Sequence, residues 1–149
     1  TPAASAFLQV LPGSRMEIHA CALSKAILAF LPEDEARRRL PRKLSALTPH
    51  TVTDREKLFA ELAHTRDRGL AYDREGYMLG IFCIGAPVFD VHGEAVAGVG
   101  VTGLVSVSHP KKQSVLEDAI LACAEDISRD IGYEGVLFAG FRSQRKENK

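Results

Sequence analysis

Apolar residues alternate with polar or small ones through "YMLGIFCIGAPVFDVHGEAVAGVGVTG", Tyr77 to Gly103. This two-residue period predicts two strands joined by a turn. The turn is "DVHGE", in which Gly93 suits a positive φ. A loop of two or four residues sets Phe89 opposite Val96, Pro87 opposite Gly98, Gly85 opposite Gly100 and Cys83 opposite Thr102. One side of the hairpin then carries Phe82, Ile84, Val88, Ala95, Ala97, Val99 and Val101, an ordinary packing face. The other is built from Cys83, Gly85, Gly98, Gly100 and Thr102, all small. Alternate glycines weaken a strand, so this hollow side must admit something. A helix lying close on the glycines and a small ligand both satisfy that, and the strands alone leave the two open.

Elsewhere the period is helical. "ALSKAILAFL" places Leu23, Ala26, Ile27 and Phe30 on one face, predicting a helix from near Cys21 that stops before Pro32. "PEDEARRRL" has acids early and arginines late, the order a helix dipole favours. Thr53 and Glu56 form a capping box for a helix that turns Leu58, Phe59, Leu62 and Ala63 inward and ends at Gly69. Ser114 and Glu117 form another, opening a last helix to about Ile131 with Val115, Ala119, Ile120, Cys123 and Ile127 inward. Near the start, Phe7 to Val10 and Met16 to Ile18 read as short strands around a Pro-Gly turn. Residues 133–149, with the basic run "FRSQRKENK", read as a flexible tail. An antiparallel hairpin among helices makes this one α+β domain over 1–149, without repeats or an internal linker.

Composition narrows the function classes. Lys plus Arg and Asp plus Glu both number 19 among 149 residues, so no net field draws in DNA phosphates or an anionic membrane. The three cysteines form no CxxC pair, which fits a reducing cytoplasm better than a disulfide scaffold. No apolar run approaches the ~18 residues of a membrane helix, and no signal peptide is recognisable. The chain opens on Thr1 rather than Met, so we expect it to be a piece of a longer protein.

Two further chemistries are open to these residues. Cys83 is a candidate nucleophile with His19 or His109 as base, but nothing in the spacing sets a histidine beside it. A cysteine among Ile and Phe is ordinarily an inert core residue. His19, Asp73, Cys83 and His109 are metal-ligand types, yet none has the spacing of a zinc site. The expectation is no catalysis, no metal and no cofactor.

The ordered set "HA-x-AL-x-KA-x-LA", "LTP-x-T-x-TD", "RG-x-A-x-D-x-E" and "C-x-x-APVFD-x-x-G" resembles the effector-binding domain of IclR-type bacterial transcriptional regulators, over roughly Val10 to Gly132. The resemblance implies a GAF/profilin-like fold, a curved antiparallel sheet flanked by helices. It implies a winged helix-turn-helix domain ahead of this segment, through which alone DNA would be bound, and assembly as a homodimer or homotetramer. It also implies a small organic effector, a carboxylate or aromatic acid, held between the sheet and the start of the first helix. Carried over by position, the site comprises the backbone of Ala22, Leu23 and Ser24 with Asp73, Ile81, Cys83, Gly100 and Thr102, and Gly98 on the same small face. Asp73 reads equally well as a turn or cap residue. Ser24 stands where the family commonly has glycine, and Gly100 where some members have serine. Loss of that hydroxyl implies a ligand bulkier or less polar than a two- or three-carbon keto acid. The alternative is a GAF-like sensor or dimerisation module without a ligand.

Overall fold

A computed structural model describes residues 10–147. In chain order its elements are helices α1 (Ala22–Leu28), α2 (Glu33–Arg39) and α3 (Arg55–Arg68), strands β1 (Ala71–Arg74), β2 (Ile81–Phe89) and β3 (Ala95–Leu104), a 3-10 turn at Val105–Val107, then helices α4 (Pro110–Asp130) and α5 (Leu137–Glu147). The strands form an antiparallel sheet in the order β1-β2-β3, so the fold is α+β. Among the described residues no helix is long and apolar enough to cross a membrane.

The hairpin follows the predicted register over most of its length: Cys83 faces Thr102, Gly85 faces Gly100 and Pro87 faces Gly98. The turn is drawn together by Asp90, whose Oδ1 accepts from the amides of His92 (2.9 Å) and Glu94 (3.0 Å), while Gly93 takes φ 76°. The final pair departs from expectation. A bulge between Val88 and Phe89 sets Phe89 opposite Ala95 instead of Val96. It turns the Phe89 amide toward Ser128 Oγ, which accepts at 2.9 Å inside the core.

Each face of the sheet receives different partners. The face bearing Ile84 and Ala86 packs on Ile120, Leu121 and Ala124 of α4, with Phe82, Val99 and Val101 at the margin. Ala97, expected on this face, is exposed. The opposite face meets α1. A second core of Leu28, Ala36, Leu40, Leu58 and Leu62 joins α1, α2 and α3.

Several local expectations change. Phe7 to Gln9 of the first predicted strand lie outside the described residues, and Met16 to Ile18 form no strand. Asp54, not Thr53, caps α3, its side chain accepting from the Lys57 amide at 2.9 Å. Glu56 pairs instead with Arg37 at 3.1 Å. Gly69 ends α3 at φ 72° as predicted, but Ala63 is exposed and Thr65 is buried in its place. Helix α4 starts at Pro110, four residues before the predicted Ser114 cap, with His109 Nδ1 accepting from the Lys111 amide at 3.2 Å. Its buried stripe is Ile120, Leu121, Ala124 and Ser128; Val115, Ala119, Cys123 and Ile127 face outward.

The largest correction concerns the C-terminus. Residues 137–147 form α5 rather than a tail, burying Phe138 and Phe141 at 1% and 2% exposure. Phe30, Phe89, Tyr133, Phe138 and Phe141 make a connected cluster of edge-on and tilted rings. Arg145 ties α5 down by pairing with Glu117 (2.5 Å) and Asp118 (2.8 Å) of α4, and the Tyr72 hydroxyl donates to Glu117 at 2.7 Å. Burial alone would push the Glu117 carboxyl up; bonds from Arg145, Gln113 and Tyr72 outweigh it and hold the group below its usual range.

Candidate ligand cavity

Two successive rows of side chains cross the three strands on the α1 side of the sheet. Ala71, Gly85 and Gly100 form the first row, and Asp73, Cys83 and Thr102 the second. The first is a seat. A Cβ on Gly85 would lie 3.0 Å from the Ala22 carbonyl oxygen, and one on Gly98 would lie 3.0 Å from that of Leu23. On Gly100 it would strike the Ile84 carbonyl oxygen and come within 2.8 Å of Leu23 Cδ2. The first turn of α1 therefore lies so close on Gly85 and Gly98 that a methyl group at either would have to displace its backbone.

One residue pair further along, the sheet is no longer covered. The second row opens on a cavity of about 570 Å³. Asp73, Cys83 and Thr102 form its floor with Ile81, and Ala22 and Leu23 its inner end. Of the nine residues expected at the site these six line it. Ser24 does not, and Gly98 and Gly100 lie beneath Leu23 and shape the cavity only by seating α1. The helix accounts for the glycine row, and a cavity begins where the glycines stop.

Sequence reasoning missed much of the wall. Ser14, Arg15 and Met16 close one side, Tyr77 and Met78 another, and Cys21 adjoins the start of α1. Arg15 and Met16 come from a segment without regular structure, so no periodicity could have marked them. Tyr77 and Met78 belong to the β1–β2 connection, which Asp73 folds over the cavity by accepting from the amides of Gly76 (2.8 Å) and Tyr77 (3.2 Å). Asp73 is thus both a turn-forming residue and a cavity residue.

The site's electrostatics follow from its enclosure. Burial pushes the Asp73 carboxyl up, and the two amides with the nearby Lys25 ammonium offset only part of this. The Cys83 thiol is likewise pushed up by burial, with the Thr102 hydroxyl, 3.4 Å away, offsetting part. It stays protonated at neutral pH, the reverse of an activated nucleophile. His19 is fully buried, its Nε2 2.9 Å from the Ser45 carbonyl oxygen, and His109 caps α4, so neither lines the cavity. Lys25 is committed to Glu61 at 3.0 Å and the Tyr72 carbonyl at 3.1 Å. No side chain caps α1, and the first amide bonded back into it is that of Lys25, to Cys21 O at 3.0 Å.

A pH-dependent stability follows for Asp73. Its carboxyl holds a proton more tightly in the folded than in the unfolded chain. The corresponding stabilisation is complete below the ordinary aspartate range and lost as pH rises through the folded value. Asp73→Asn keeps an oxygen to accept from both amides but cannot ionise. In urea unfolding at a series of pH values, the variant should gain on the wild type as pH rises through this interval. A difference constant with pH would show that the folded site does not disfavour the carboxylate.

Comparison with known proteins agrees with this architecture. Residues 4–129 match the family model described as "Bacterial transcriptional regulator IclR C-terminal". The chain is 37% identical over 118 residues to the HTH-type transcriptional regulator BhcR of Paracoccus denitrificans, covering 78% of this chain and 42% of that protein. It is 40% identical over 112 residues to the HTH-type transcriptional regulator Rv1719 of Mycobacterium tuberculosis, covering 75% and 40%. It superposes on the crystal structure of Thermotoga maritima IclR with a TM-score of 0.73 at 35% identity, covering 85% of this chain and 53% of that one. The chain thus spans about two-fifths of the length of these curated relatives, 42% and 40%. From its matched sequence and shared fold, the chain belongs to the family of IclR-type bacterial transcriptional regulators, as their C-terminal domain.

Proposed function

We propose that this chain is the effector-sensing part of a cytoplasmic transcriptional regulator, and that the cavity beside α1 takes a small organic ligand. The observation that carries this reading is the change along one sheet face, from glycines on which the first turn of α1 sits to an Asp73–Cys83–Thr102 row facing open volume. Pockets of about 300–1,000 Å³ take drug-sized molecules, and a volume of about 570 Å³ is far more than a two- or three-carbon acid fills. Ile81, Met16 and Met78 offer apolar wall, while Thr102, Asp73 and Arg15 offer polar anchors. An aromatic or medium-sized organic acid suits this mixture.

The relatives' names, HTH-type transcriptional regulators, point to DNA binding by a segment outside this chain. A guest here would touch α1, all three strands and the β1–β2 connection at once. It can shift the domain between arrangements only by its difference in affinity for them, which for coupled sites is typically about 1–3 kcal/mol. That difference would be passed to operator affinity.

The test is a thermal-shift screen of small carboxylates and aromatic acids against the wild type and Thr102→Val, a nearly isosteric change that removes a hydroxyl from the cavity floor. A ligand at 100 times its dissociation constant should stabilise the wild type by about 2.7 kcal/mol, and the shift should shrink in the variant. Equal shifts in both proteins would move the site elsewhere. Stabilisation by two- and three-carbon acids alone would overturn the size argument. For the full-length regulator, operator affinity unchanged by a stabilising ligand would remove the switch.

A further inference from the structure

The sequence contains three cysteines and two methionines, and four of these five sulfur side chains line the one cavity: Met16, Cys21, Met78 and Cys83. The fifth, Cys123, is exposed on α4. Cys21 Sγ lies 3.9 Å from Met16 Sδ. That is the separation of two sulfurs sharing a metal with bonds of about 2.3 Å, and far beyond an S–S bond. Cys83 lines the same cavity from the sheet side. Cys21 immediately precedes Ala22, whose carbonyl rests on Gly85, and Gly85 is the next residue after Cys83 on the same face of β2. Both thiols are free.

The donor set selects its ion. Among the described residues no group of three His, Cys, Asp or Glu side chains could hold a metal, which leaves no site of the kind zinc prefers. Two thiols with a thioether are instead the soft set that favours monovalent copper. We propose that Met16, Cys21 and Cys83 form a Cu(I) site at the inner end of the cavity, with Met78 at its rim. Each coordinating thiol gives up its proton as the sulfur–copper bond forms, and copper remains Cu(I) throughout. A bound ion would join the segment before α1, the start of α1 and β2, the same parts an organic guest would touch. The inference does not depend on the organic-ligand reading, and the two exclude one another only in simultaneous occupancy.

The experiment is an anaerobic titration of the reduced chain with Cu(I) presented as its bicinchoninate complex, following loss of the chelator's colour. The expected result is one copper withheld per chain. Cys21→Ser and Cys83→Ser should each weaken binding by at least about 100-fold, more than the roughly 10–100-fold that loss of an outer-shell partner costs. Met16→Leu, which keeps side-chain volume, should weaken it measurably, and Cys123→Ser should leave it unchanged. X-ray absorption at the copper edge of the wild type gives a readout independent of any variant's folding, and three sulfur neighbours are expected. Copper left entirely with the chelator, binding that follows Cys123, or a nitrogen and oxygen shell would each overturn the site. None of these results would alter the response to organic acids.

Discussion

Replacing Phe141 by alanine should lower the unfolding free energy by about 3–5 kcal/mol, the usual cost of emptying a buried aromatic position. The ring is 2% exposed and meets Phe30 at 5.7 Å and Phe138 at 5.6 Å between centroids. It also lies over Gly69, whose missing side chain makes the room: a Cβ there would collide with the Phe141 ring. Gly69 holds φ 72° as the α3 cap, so its backbone cannot turn aside to fill the void. Since natural domains are stable by only about 5–15 kcal/mol, this loss is a large share of the whole. Urea unfolding of the variant is the check. A midpoint close to wild type would mean that α5 does not complete the core.

Gly100→Val should cost about 1–3 kcal/mol through overpacking and should also abolish ligand stabilisation. A β-branched residue suits a strand, and leaving glycine in a strand interior would recover roughly 0.5–1 kcal/mol. Contact decides against that gain. The new Cβ meets the Ile84 carbonyl oxygen, a backbone atom of the adjoining strand, and falls 2.8 Å from Leu23 Cδ2 and 3.2 Å from Gly85 Cα. Leu23 can rotate but the Ile84 carbonyl cannot, so β3 must draw away from β2 here, which disturbs the seat of α1 and the inner end of the cavity. Denaturation measures the first effect, and hydrogen exchange at residues 21–26, with and without a stabilising ligand, measures the second. Wild-type stability with unchanged protection of α1 would show that the helix is not seated on the glycines.

What could be read in advance depended on whether the cause lay nearby in sequence. The Cys83–Thr102 pairing follows from strict alternation and the Asp90–Gly93 turn, both local, and it appears as expected. The bulge at Phe89 does not, because its cause is Ser128, 39 residues away, receiving the Phe89 amide. On α4 the spacing points to a face that shares only Ile120 with the buried one, because that helix is apolar on two sides. Val115, Cys123 and Ile127 have the spacing of a buried face, but Leu121, Ala124 and Ser128 are the residues that meet the bulged strand and α5. At the C-terminus the basic run outweighed Phe138 and Phe141, whose three-residue spacing was the available sign of a docked helix. The floor of the cavity was legible because strands fix it. Arg15 and Met16 were not, because they approach through tertiary folding alone.

The family match ends at residue 129, whereas the rings that finish the interior sit at 133, 138 and 141. Anyone trimming the polypeptide to that homology boundary would strip the hydrophobic lid from Phe30 and Phe89 and should expect a sticky, dye-binding product. Expression trials should therefore retain α5 through Glu147.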